Sequence, residues 1–320
     1  MFGPLYRKPK GKDVFFTDPL LEMGYAGRFF VRVVTSSSIV VQSVVTLMAL
    51  FIEVSWVFWL GILSSLYLLD RLIHFARSDE QFPLAGPLTH NVALYLSPRA
   101  RRAIVSAYNK AAVLGGGFYL NLARILSETA AVSEMLSRLD VDSVAFNSKL
   151  DAYLARDLVS YKDHDRLIGE AERLVFVAFE NKTDEEKDLD YANLFAALGG
   201  IENEQLVSLF DVFEFGADDL RKVVPFGRLV GRAWVSRLAW QIRGLEAPPL
   251  SAFSCAILKI EQEHKVKIPY SSIIVAMNHG DGVSYQEKTS SALGLIRNAA
   301  IYASKKGDDI VRGEDVGRVE

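Results

Sequence analysis

The feature that most constrains this chain is a long uncharged stretch near its start. Val33 to Ile52 carries no charge, Glu53 interrupts, and Val54 to Leu69 is again uncharged. As one helix, this stretch would run ~55 Å at 1.5 Å per residue. A bilayer's hydrocarbon core is only ~30 Å thick. Two helices joined near Glu53, about 33–52 and 54–69, fit better than one. Trp56 and Trp59 suit an interface near the turn, and Arg71 and Arg77 can snorkel from the second helix. The apolar run is too long, and too far from the start, for a cleaved leader. Arg7, Lys8, Lys10, Lys12, Arg28 and Arg32 precede the hairpin, which places both flanks on the cytoplasmic side by the positive-inside rule. Ser36, Ser37, Ser38 and Gln42 suit helix packing rather than transport, since no ionisable group lies deep in the first helix. The competing reading is a buried core hairpin of a water-soluble domain.

The remaining sequence reads as helical. Ser97 and Pro98 form a helix start, with Ala100, Ile104, Ala107, Tyr108 and Ala111 as one apolar stripe behind it. Asp142 can start a later helix carrying Val144, Phe146, Leu150 and Leu154. No alternating run is long enough to suggest a sheet. The expected class is all-α.

Self-comparison reveals a duplication. Ala100 to Asn109 aligns with Ala171 to Glu180, and Ser137 to Val141 with Ser208 to Val212, both at an offset of 71. Ala123 falls opposite Ala192. Each unit reads as helix, loop, helix, short helix, helix, and Tyr108 and Phe179 occupy equivalent core positions.

This pattern resembles the double repeat of the Clp N-terminal domain, the module that precedes the ATPase in Clp-family unfoldases. The resemblance covers roughly Leu88 to Val224 and is clearest in the second unit, where Asp190 to Leu198 matches a "dLf-aLl" helix and Leu206 to Leu220 the tail after it. In the first unit, Glu128-Thr129 stands near the family's "E-H-L-L" without the His. The segment Leu258 to Ile268, with Ser271 to Met277, Ser290 to Ala300 and Ile310 to Val316, is similar to the small helical lid of the first Clp ATPase module. That segment departs from the family at Thr289-Ser290-Ser291 and in the acidic positions of the following helix. The resemblance implies a client- or adaptor-binding role, with a Clp ATPase or peptidase as possible partner, and a membrane-anchored bacterial subgroup. It divides the chain into a basic N-terminus (1–32), a transmembrane hairpin (33–69), the double repeat (88–224), a basic amphipathic linker (225–250) and a lid-like domain (251–320). The implied location is the bacterial inner membrane, multi-pass, with both termini cytoplasmic.

The chemistry of ATP hydrolysis is not visible. A phosphate-cradling GxxxxGK[ST] loop is absent. Gly115-Gly116-Gly117 is followed by Phe118-Tyr119-Leu120 and reads as a turn. The gap between Val224 and the lid-like segment is far short of the ~150 residues of an ATPase domain. The chain therefore reads as a non-enzymatic binding module with no cofactor. The alternative is a truncated ATP-binding Clp subunit. A membrane enzyme or transporter ranks below both.

Other candidate sites read as structural. Glu180 to Asp190 is acidic and reads as a solvated loop rather than a metal site. Cys255, the single cysteine, reads as a buried structural thiol, which excludes an intramolecular disulfide and a Cys-rich zinc site. His264 and His279 read as surface or capping residues. Net charge is −3, which argues against a general nucleic-acid binder. From Leu220 to Leu245, Arg221, Lys222, Arg228, Arg232, Arg237 and Arg243 occur without one acid. Arg228, Arg232, Trp234, Arg237 and Trp240 are candidate contacts to an anionic membrane surface. A helix packed on the repeat domain with its arginines outward is the competing reading.

Overall fold

A computed structural model describes residues 13–23, 25–51, 55–74, 89–156, 163–182, 188–231, 249–282 and 284–319. The described residues are mostly helical. The one sheet among these residues is a parallel pair, β1 (Asp13–Phe15) on β2 (Thr89–Asn91). It departs from the expectation of no strand, and its cause is non-local. Asn91 accepts from the Thr17 N–H at 3.1 Å and donates to the Thr17 carbonyl at 2.8 Å, tying the two segments across 74 residues.

Helix α1 (Pro19–Glu22) is capped by buried Asp18, which accepts from the Leu20 N–H. Asp18 also receives both prongs of Arg101, at 2.6 and 2.7 Å, and so fixes the N-terminal segment to the helical body. Helices α2 (Tyr25–Leu50) and α3 (Ser55–His74) form an antiparallel hairpin. Thr46 and Ser64 share a hydrogen bond of 2.7 Å inside it. Buried Arg28, near the start of α2, donates to the Leu20 and Leu21 carbonyls and lies 4.3 Å over the Tyr108 ring.

The hairpin forms where the apolar pattern places it, but its reading as a membrane span is overturned. Among the described residues no helix is long and apolar enough to cross a membrane. The uncharged part of α2, Val33 to Leu50, covers ~27 Å, and that of α3, Ser55 to Leu69, ~22 Å. Both fall short of ~30 Å, and Ser37, Ser38, Gln42 and Ser43 dilute the first. The multi-pass inner-membrane location is therefore corrected. The outer faces of the hairpin remain apolar and exposed, Phe29, Val41, Met48, Trp56, Trp59 and Leu63 among them.

A 3₁₀ turn (Val92–Tyr95) leads into two four-helix units. The first is α4 (Pro98–Leu114), α5 (Phe118–Ser127), α6 (Ala130–Arg138) and α7 (Ser143–Arg156). The second is α8 (His164–Asn181), α9 (Tyr191–Leu198), α10 (Glu204–Val212) and α11 (Ala217–Gly231). The helix starts are set by local chemistry. Ser97 accepts from the Ala100 N–H with Pro98 behind it, and Asp142 accepts from Val144 and Ala145. Asp190 and Asn193 form a capping box at α9.

The first helices of the two units align at the expected offset. Ala100, Ala103, Ile104 and Ala107 are buried in α4, as are Ala171, Leu174, Val175 and Ala178 in α8. The later helices do not keep that offset. Thr129 and Asn203 cap α6 and α10 and lie 74 residues apart, as do Asp140 and Glu214, both in left-handed backbone at φ 58° and 57°. In each unit the residue after the left-handed one closes the same loop, Val141 N–H to the Leu136 carbonyl and Phe215 N–H to Phe210. Ser137 to Val141 therefore corresponds to Asp211 to Phe215, not to Ser208 to Val212. The extra residues sit in the turns between helices, where length is free to change.

The lid-like segment forms its own helical layer: α12 (Pro249–His264), α13 (Tyr270–His279), α14 (Tyr285–Lys306) and α15 (Gly313–Gly317). Ile257, Ile260, Ile273, Ala292, Ile296, Ala300 and Val311 fill its core. Lys267 pairs with Ile310, its N–H donating to the Asp309 carbonyl and its carbonyl accepting from Val311.

Candidate functional site

The two units use their third helices differently, and that difference creates the site. In the first unit, the C-terminal end of α6 is covered, while Ala130 and Ser133 are exposed. Arg138, its last residue, has no solvent exposure. Its guanidinium donates to both carboxylate oxygens of Glu261 on α12 at 2.8 and 2.6 Å, to the Ile268 carbonyl at 2.5 Å and to Glu134 at 2.8 Å. The ring of Phe226 on α11 lies 4.5 Å from it. Glu134 also receives Lys267 at 2.8 Å, and Ser271 donates to Asp140. Burial opposes the charge on the Glu134 carboxyl, but Arg138 and Lys267 more than offset it and hold the group below its ordinary value. This face of α6 is the joint to the C-terminal helices.

The corresponding face of α10 is open. By the 74-residue correspondence Ser208 stands where Glu134 does and Val212 where Arg138 does. Val207 is 47% exposed and Val212 51%. They floor a groove of about 690 Å³, with Glu202, Asn203, Glu204, Ser208 and Asp211 around them. Three carboxylates and no cation line it. Glu202 is paired with Arg173 at 3.8 Å, and the Asn203 side chain is engaged in capping Leu206.

Gly227 lets α11 press against α6: a Cβ there would sit 2.8 Å from Met135 Cγ and 2.9 Å from the Ala131 carbonyl oxygen. Its counterpart in the first unit is Tyr153 on α7. Its phenol shares a hydrogen bond of 2.7 Å with the Ser208 hydroxyl on α10.

The groove residues were not singled out from sequence. Leu206, Leu209 and Phe210 make the buried stripe of α10, and Val207 and Val212 are apolar residues beyond what that stripe needs. That surplus was the available signal.

The sequence-derived candidates fall elsewhere. Arg228 points into the protein: it donates to the Asp188 carbonyl and carboxylate at 2.8 and 2.9 Å and to Asn193 at 2.6 Å, with Asp190 at 3.8 Å. It braces α11 against the start of α9. Arg232, Trp234, Arg237 and Trp240 lie outside the described residues. In the acidic loop, Asp188 and Asp190 are used by Arg228 and by the α9 cap, and 183–187 lie outside the described residues. Among the described residues no three His, Cys, Asp or Glu side chains converge as a metal site would require. Gly115, Gly116 and Gly117 all have positive φ, and the Asn121 amide donates to the carbonyls of Gly115 and Gly117 at 2.8 Å each, which makes the segment a fixed turn. Cys255, on α12, is of intermediate burial and forms no disulfide. His264 and His279 each end a helix.

No family model, curated protein or solved structure matches this chain.

Proposed function

We propose that this chain is a protein-binding module of the Clp type, which holds clients or adaptors for ATP-dependent unfolding or proteolysis and relies on an ATPase in another polypeptide. The observation that carries the reading is the pairing of two four-helix units with matched helix ends, one of them leaving a solvent-facing groove on α10. Support also comes from the residues that resemble the Clp double repeat, Asp190 to Leu198 and Leu206 to Leu220. A rigid helical body with one open, mixed apolar and acidic face suits reversible engagement of another polypeptide. The role asks no bond-making chemistry of the chain.

In-cell crosslinking followed by purification of the full chain tests this reading. The expected result is a discrete set of crosslinked proteins that includes a Clp ATPase or its peptidase, with no ATP turnover by the purified chain. Turnover of ATP by the purified chain, or the absence of any crosslinked protein, would overturn it.

A further inference from the structure

We propose that the α2–α3 hairpin pairs with the hairpin of a second copy of this chain, the four helices forming a bundle along one broad side of each. The proposal concerns assembly and is independent of what binds α10.

Each helix of the hairpin carries an exposed apolar stripe with the spacing of a packing seam. On α2, Val34, Val41 and Met48 recur every seven residues, with Phe30 four residues before Val34 and Val45 four after Val41. These five are 48–68% exposed. On α3, Trp56, Leu60, Leu63 and Tyr67 follow at spacings of four, three and four and are 50–67% exposed. Alternation of threes and fours is how one helix lays its side chains along another. The two helices do not spend these stripes on each other. Their contact is made by small and hydroxylic side chains: Thr46 shares its hydrogen bond with Ser64, and Gly61 is buried. Around that contact, helical spacing puts both stripes on the same broad side of the hairpin. On the opposite side of α3, Phe58 is followed at the matching spacings by half-buried Ile62 and Ser65, which make no exposed seam.

Area, spacing and charge together select a second copy as the occupant. The two stripes offer roughly 1,000 Å² of apolar surface, against the ~800 Å² that each partner buries in a stable interface. A lipid surface has no use for seven-residue spacing, and no described helix is long and apolar enough to cross one. An unlike protein would have to be told from others, and paired helices do that through charges flanking the seam. Here there are none: Val33 to Leu50 and Ser55 to Leu69 carry no ionisable side chain. A second copy brings the same two stripes and the same uncharged flanks, so a two-fold axis across this side makes the surface its own complement. Interfaces between copies of one chain are also the most apolar kind, and four helices packed this way form an ordinary bundle.

The test is photo-crosslinking of the full chain in cells, with benzoyl-phenylalanine in place of Leu63 or, as control, of Phe58. The Leu63 position should give a product of twice the mass of one chain, containing only this chain, and the Phe58 position should not. Sedimentation of the purified full chain should show the same dimer. Trp56→Gln with Leu60→Gln should raise its dissociation constant at least about 100-fold, while Phe58→Gln should leave it unchanged. Trp56, Leu60 and Phe58 are exposed, so the circular dichroism of each variant should hold. Crosslinks from position 63 to lipid or to an unlike protein in place of chain dimers, equal dimer from both positions, or a monomer in sedimentation overturns the proposal. So does a loss in Phe58→Gln as large as that in the seam variant.

Discussion

Arg138 and Glu261 meet as a two-pronged ion pair at 2.8 and 2.6 Å, across 123 residues of sequence, with the arginine wholly out of water. The pair joins the first repeat unit to the C-terminal helices. A buried pair of this kind contributes less than its contacts suggest, because both charges gave up hydration to form it. It resists disruption all the same, since removing one partner strands the other. Arg138→Ala should lower stability by about 3–5 kcal/mol, read from urea denaturation of the full chain. Replacing both residues by Leu should cost much less than the two single changes added together. Additive losses would contradict a direct pair.

The same joint sets an acid limit. The Glu134 carboxyl lies below its ordinary value of 4.5, burial notwithstanding, because Arg138 and Lys267 hold it charged. A group lowered in the folded state contributes stability that is complete above its unfolded value and lost as pH falls through its folded one. The urea midpoint should therefore decline as pH drops from about 6 to 3, and Glu134→Gln should flatten part of that decline. An unchanged pH profile in Glu134→Gln would remove Glu134 from the account.

Gly227 should not tolerate the substitution that usually helps a helix. Gly to Ala in a helix interior gains up to about 1 kcal/mol. Here the new Cβ meets Met135 Cγ at 2.8 Å and the Ala131 carbonyl oxygen at 2.9 Å. Gly227→Ala should lower the melting temperature, with a net loss of about 1–3 kcal/mol. Gly169, on α8, has open space around its missing Cβ, and Gly169→Ala should raise the melting temperature instead.

The left-handed residues that mark the duplication supply a matched pair. Asp140 and Glu214 each hold a conformation that costs a side-chain-bearing residue roughly 1 kcal/mol. Glu214→Gly should stabilise the chain by about that amount. Asp140→Gly should gain less, because it also gives up the hydrogen bond from Ser271 at 3.1 Å. Equal gains at both sites would mean that the Ser271 contact contributes nothing.

Much of this fold was legible because it is local. Ser97 with Pro98, and Asp142, announced helix starts that the structure places there. The apolar stripe from Ala100 to Ala111 is buried as its spacing requires. The duplication was visible at Ala100 and Ala171 but misaligned further on, because Ser208 to Val212 mimics Ser137 to Val141 in its apolar pattern. The cap residues and the left-handed positions reveal the true register, and neither depends on that pattern. The β1–β2 pair was hidden because its cause, Asn91 on Thr17, is long-range. The hairpin's membrane reading failed on length: the helices end at Leu50 and begin at Ser55, and each uncharged part is shorter than a span needs.

The claim on which the account turns is that another polypeptide binds the exposed face of α10, without nucleotide. Hydrogen–deuterium exchange of the full chain, with and without a permanently unfolded carboxymethylated client and with no ATP present, measures this directly. The account predicts slowed exchange over residues 202–212 when the client is added and no change over 130–138. Slowing confined to α2 and α3, or slowing that requires ATP, would contradict it.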